Sequence, residues 1–110
     1  MHKFGRLIEL SLLTILKKGD GYGYKLAEDM LSHDLIDKDV NIGVIYRALR
    51  KLEKDGFITS YWADSDNGPN KRIYGISKEG VKELEKMIVL IKERRKRIDK
   101  LIKLNSDLEV

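Results

Sequence analysis

Asn41-Ile42-Gly43-Val44-Ile45-Tyr46-Arg47-Ala48-Leu49-Arg50-Lys51-Leu52-Glu53-Lys54-Asp55-Gly56 decides how this chain of 110 residues is read. At helical spacing, Ile42, Ile45, Leu49 and Leu52 form one apolar stripe, while Gly43, Arg47, Arg50 and Lys54 fall on the opposite side. Asn41 suits an N-cap, and Gly56 suits the position just past the carboxyl end. The segment is therefore a short helix with one face for a core and one for something negatively charged. A helix of this size and charge fits the DNA major groove. A solvated amphipathic helix with no ligand carries the same pattern, so the flanking segments must decide.

Past Gly56 the period changes from helical to alternating. Ile58-Thr59-Ser60-Tyr61-Trp62-Ala63 is rich in β-branched and aromatic residues and predicts a strand. Asp64 to Asn70 is a turn cluster with an Asn-Gly pair and the only proline, and Lys71 to Ile76 predicts the return strand of a hairpin. Ser77 caps a final helix from Lys78 to about Asn105, with Glu79 opposing the positive end of its dipole. Upstream, Leu7, Ile8, Leu10, Leu12, Leu13, Ile15 and Leu16 make a helix apolar nearly all round, which stops at Lys17-Lys18-Gly19-Asp20-Gly21. A second helix runs from about Tyr22 to Leu31, and Ser32 to Val40 is a polar loop.

Three helices followed by a hairpin is the plan of a winged helix, whose third helix enters the major groove while the hairpin reaches the backbone beside it. The expected fold class is α+β, mainly α. Residues 1–77 form a winged helix-turn-helix domain, and residues 78–110 form a long C-terminal dimerisation helix and tail.

Composition narrows the function. Apolar residues are 42% and charged residues 36% of the chain, which is the balance of a folded rather than a disordered protein. With no cysteine, thiol catalysis, disulfides and thiol redox sensing are excluded together. Neither His2 nor His33 has carboxylates at ligand spacing, so no metal and no cofactor is expected. There is no glycine-rich phosphate loop between a strand and a helix, and no enzyme is expected. No apolar run could span a bilayer and no secretory leader is visible, so a cytoplasmic protein without membrane contact is expected. The formal net charge is +4, yet Asp20 to Asp39 carries −4 and the remainder +8. One part of the chain repels a polyanion and another attracts it.

Four pieces of the chain resemble the PadR family of transcriptional regulators. They are Gly21-Tyr22-Gly23-Tyr24-Lys25-Leu26; Gly43-Val44-Ile45-Tyr46 with Ala48 to Glu53; Asp55-Gly56-Phe57-Ile58; and Gly68-Pro69 with Arg72-Ile73-Tyr74 and Ile76-Ser77-Lys78-Glu79-Gly80. The resemblance covers about Leu12 to Gly80. It implies a dimeric DNA-binding repressor with an N-terminal winged helix and a C-terminal dimerisation helix, of the smaller branch with a single final helix. Two positions depart from the family pattern. Val44 stands where a hydroxyl residue is frequent, and Arg47 where proline is frequent, so one phosphate contact is missing and a new one is available.

Individual roles follow. At the start of the third helix, Asn41, Gly43, Val44 and Arg47 are the candidates for base edges, Arg50 is a further DNA contact on the outward face, and Lys51 and Lys54 are expected on phosphates. An arginine either reads guanine with two hydrogen bonds or holds a phosphate, and both remain open here. Tyr46 and Tyr24 each either reach a phosphate or pack against the domain. In the hairpin, Asn70, Lys71 and Arg72 are expected on phosphates, and Trp62 is expected to pack under the wing. Charge removal at Arg47 or Arg72 should weaken binding, each lost phosphate contact lowering the salt slope by about 0.9.

On the final helix, Val81, Leu84, Ile88, Ile91, Arg95, Ile98 and Ile102 recur at separations of three and four, a heptad seam that Met87, Leu90, Leu101 and Leu104 widen. Leu84, Met87, Ile88, Ile91, Arg95, Ile98, Leu101 and Ile102 are the expected homodimer contacts. The family members that bind flat aromatic drugs use an aromatic on this helix. None follows Tyr74 here, so the sequence does not support a small-molecule inducer. The expected partners are a pseudo-palindromic double-stranded operator and a second copy of the chain. The alternative is a winged-helix adaptor for an acidic protein, or a non-specific DNA binder.

Overall fold

The computed structural model describes residues 3–64 and 67–108, and side chains from Leu7 onward. His2, and Ser65 and Asp66 of the expected turn, lie outside the described residues. The order of elements is α1 (Lys3–Lys18), β1 (Gly21–Tyr22), α2 (Gly23–Ser32), α3 (Ile42–Lys54), β2 (Ile58–Ala63), β3 (Lys71–Ile76) and α4 (Lys78–Leu108). This is a winged helix with a long C-terminal helix. β3 is the central strand of an antiparallel sheet in the order β1-β3-β2. Sequence patterning leaves β1 out, because two residues are too few to show a period; Gly21 and Tyr22 are strand only by pairing with Tyr74 and Ile73.

The all-round apolar character of α1 places it at the centre, against α2, α3, α4 and β3. Leu12, Leu13 and Leu16 have essentially no exposed surface, and Leu26, Met30, Ile45, Leu49, Leu52 and Ile58 close around them. Ile42, assigned to the apolar stripe, is 42% exposed, since the first turn of α3 projects past the core.

α3 is bounded as its end residues require. The Asn41 side-chain oxygen accepts the Gly43 N–H at 2.8 Å, satisfying one of the free donors of the first turn. At the other end Gly56 takes φ +82°, and the chain reverses with Gly56 N–H donating to the Glu53 carbonyl (3.1 Å) and Phe57 N–H to that of Leu52 (2.9 Å). The wing thus begins directly from the end of α3, with no slack between them. Ser77 adds a second tie. Its hydroxyl donates to the Gly56 carbonyl at 2.7 Å and accepts the Gly80 N–H at 3.0 Å, capping α4 and fastening its start to the α3–β2 turn.

Two residues expected on the dimer seam belong elsewhere. Leu84 and Met87 are buried in the core of their own chain, and Ile88 packs against that core. α1 presents apolar side chains on the side that α2 and α3 leave open, and the first turns of α4 cover it. Beyond them the environment reverses: Val89, Leu90, Ile98, Leu101, Ile102, Leu104 and Leu108 are exposed. The molecule measures 63 × 29 × 24 Å, its length set by the 31-residue α4. None of the described helices is long and apolar enough to cross a membrane.

Candidate nucleic-acid interface

Burial of Ile45, Leu49 and Leu52 turns the opposite side of α3 to solvent, and with it Arg47, Arg50 and Lys54. None of these three cations is within ion-pair distance of an acid among the described residues. Gly43 continues the same row, half-buried and without a side chain to hold a surface away. Val44 is half-buried beside it. Asn41 is exposed; its oxygen accepts the cap bond, and its amide nitrogen is left to donate outward.

The flanks of α3 differ from this face. On the flank toward α1, the Lys51 ammonium sits 3.0 Å from Asp55 and 3.7 Å from Glu9. The hydrogen bond to Asp55 and the two negative charges hold its pKa above the ordinary lysine value. Lys51, expected on a phosphate, is answered inside the chain. On the flank toward α2 the Tyr46 ring lies against Gly23, where a Cβ would come within 2.9 Å of the phenol oxygen and closer still to the ring. Glycine at the first turn of α2 is what lets the two helices approach. Tyr46 thus packs, and it lines a cleft of about 180 Å³ together with Tyr22, Tyr24, Lys71, Arg72 and Tyr74. Tyr24 is exposed at its rim.

The wing cations have partners of their own. Lys71 and Arg72 point to opposite faces of the sheet. The Lys71 ammonium lies 4.4 Å from the centroid of the Tyr22 ring, a cation–π contact. Arg72, expected on a phosphate, is engaged within the chain. Its Nη2 donates to both carboxylate oxygens of Glu53 (3.2 and 3.3 Å), and its Nε donates to the Ser60 hydroxyl at 2.9 Å. Asn70 is exposed where the tip meets β3. Trp62, expected under the wing, is 66% exposed. It pairs with Arg72 across the hairpin, on the same face as Ile58 and Ser60, but beyond the end of the core that buries Ile58. Burial disfavours the phenolate of Tyr74, further down that face, and pushes its pKa above 10.0.

Two residues that define this geometry, Glu53 and Ser60, carry no sequence signal of their own. An acid on the flank of a cationic helix was the available hint, but its partner is 19 positions away.

Residues 12–86 match the model of the transcriptional regulator PadR-like family, so the likeness runs past Gly80 into α4. Similar solved structures include a candidate transcriptional regulator of Thermoplasma acidophilum (28% identity, covering 90% of this chain and 93% of that one, TM-score 0.79). Another is a PadR-like transcriptional regulator of Bacillus cereus (25%, 87% and 91%, TM-score 0.74). A third is Bacillus subtilis PadR in complex with operator DNA (25%, TM-score 0.68), where the match covers 76% of this chain and 48% of that one.

Proposed function

The chain belongs to the PadR-like family of transcriptional regulators, and on that premise we propose that it binds double-stranded DNA sequence-specifically as a homodimeric repressor of a pseudo-palindromic operator. The observation that carries the reading is the outward face of α3, where Arg47, Arg50 and Lys54 stand exposed and without acidic partners among the described residues. The likeness to Bacillus subtilis PadR, solved with operator DNA, supports it.

In this reading Arg47, with Gly43 and Val44, faces base edges from the first turns of α3, and Arg50 and Lys54 hold phosphates. Asn70 and Lys71 bring the wing to the backbone, and Tyr46 offers its hydroxyl from the neighbouring cleft. The dimer forms through the distal half of α4. A 31-residue helix is about 46 Å long, and its far half exposes leucine and isoleucine that one chain cannot cover. Ile91, Ile98, Leu101 and Ile102, with Arg95 among them, are the seam residues still available. A two-fold dimer then presents two α3 helices about 34–36 Å apart to successive major grooves.

The test is selection of bound fragments from genomic DNA, followed by titration of the recovered site. Sub-micromolar, sequence-dependent binding at physiological salt, with two inverted half-sites, is the expected result. Uniformly weak binding to every duplex would reject it in favour of an adaptor or non-specific binder. Leu101→Glu with Ile102→Glu should convert the species seen by light scattering to a monomer.

A further inference from the structure

We infer that Arg72 is a positioning residue, which locks the wing to the flank of α3 through Glu53 and Ser60 and does not itself neutralise a phosphate. The inference rests on the DNA-binding reading above. Three elements meet at this point: Glu53 from α3, Ser60 from β2 and Arg72 from β3. Arg72 Nε donates to Ser60 Oγ at 2.9 Å, Ser60 Oγ donates to Glu53 Oε2 at 2.5 Å, and Arg72 Nη2 returns to the same carboxylate at 3.2 Å. Each link has one donor and one acceptor, so the ring closes without a competing proton. The guanidinium is also flanked by the Trp62 and Tyr74 rings, at 5.7 and 6.0 Å.

An exposed lysine–carboxylate pair holds little, because water and salt compete for both ends. This arrangement differs in its planar fork, its third partner and the aromatic rings beside it. Electrostatics point the same way. Glu53 lies one helical step from the cationic face of α3, where a lone carboxylate would repel a duplex. Arg72 cancels it, so the pair adds no net attraction. Its contribution is geometric: it fixes the angle between wing and recognition helix, so that the hairpin tip and Arg47 address one duplex together.

The two roles predict opposite signs. If Arg72 served a phosphate, Glu53→Gln would remove an acid, free the arginine and tighten binding. As a clamp, Glu53→Gln weakens it. The experiment titrates operator binding against salt for Glu53→Gln, Arg72→Met, Arg72→Lys and the double variant Glu53→Gln with Arg72→Met. Each single variant should weaken binding about tenfold, the scale of a charge-assisted network. The double should be no worse than either single, and lysine should fail to restore binding. The double removes one charge of each sign, so its salt slope should equal that of the unmodified protein; a drop of about 0.9 would overturn the inference. Tightening by Glu53→Gln would overturn it as well.

A second readout needs no DNA. Trp62 is the only tryptophan, and the guanidinium lies over its ring. In the free protein, Glu53→Gln and Arg72→Met should shift its emission alike. Unchanged emission in both variants defeats the clamp even if operator binding is strong. Shifted emission without any specific duplex binding would uphold the clamp and defeat the DNA-binding reading instead.

Discussion

On the outward face of α3, Arg47, Arg50 and Lys54 stand without an acidic partner among the described residues, whereas Arg72 of the wing is held by Glu53 and Ser60. Both sites are exposed and cationic. What separates them is the neighbour within reach. Glu53 follows Arg50 by one turn of α3 but is held by Arg72, so the outward cations keep no acid within ion-pair distance among the described residues. A basic residue is available to a polyanion only when the fold has not already answered its charge.

The difference breaks most completely if α3 loses its backing. Leu52 is 2% exposed, and Leu52→Ala should cost about 2–5 kcal/mol of stability, read as a lowered urea midpoint. The outward cations would then lose their platform while the wing's ion pair lost its helix.

Removing single cations sharpens it. Arg47→Ala or Arg50→Ala should each weaken operator binding by about 1–3 kcal/mol, with a phosphate contact also lowering the salt slope by about 1. Lys51→Ala should change the slope much less, because Asp55 and Glu9 already oppose its charge. Equal slopes for Arg50→Ala and Lys51→Ala would erase the distinction between face and flank.

The joint between the two regions comes next. Gly56 takes φ +82°, and Gly56→Ala should destabilise by about 1–2 kcal/mol, measured by thermal unfolding. Where it still folds, it should reduce affinity while leaving the salt slope intact, since no cation has moved.

The smallest effect is alkaline. Tyr74 and Lys51 both have pKa values raised by the fold, so the native state keeps their protons at pH values where the unfolded chain releases them. Their contribution is full below about pH 10 and is lost as pH rises through their folded values. Denaturant midpoints followed from pH 8 to about pH 11 should fall, and Tyr74→Phe should flatten part of that fall.

Much of this fold is legible in the chain. The stripe of Ile45, Leu49 and Leu52, the cap at Asn41 and the reversal at Gly56 are local patterns, and local patterns survive folding when nothing distant opposes them. The hairpin is legible for the same reason, from alternation around a glycine-proline turn. Leu84 and Met87 were not separable from Ile98 and Ile102, because a heptad repeat marks which residues must be covered and is silent on which surface covers them. Trp62 looked like a buried residue by type; only the length of the core relative to β2 left it outside.

From its own residues the chain determines three helices, a wing and a cationic outward face, since each depends on neighbours within a few turns or one hairpin. The tertiary structure decided which cations remain unanswered and where α4 stops serving its own core. Both depend on groups brought together from distant positions, as Arg72 is to Glu53 across 19 residues, and no local periodicity records such a meeting.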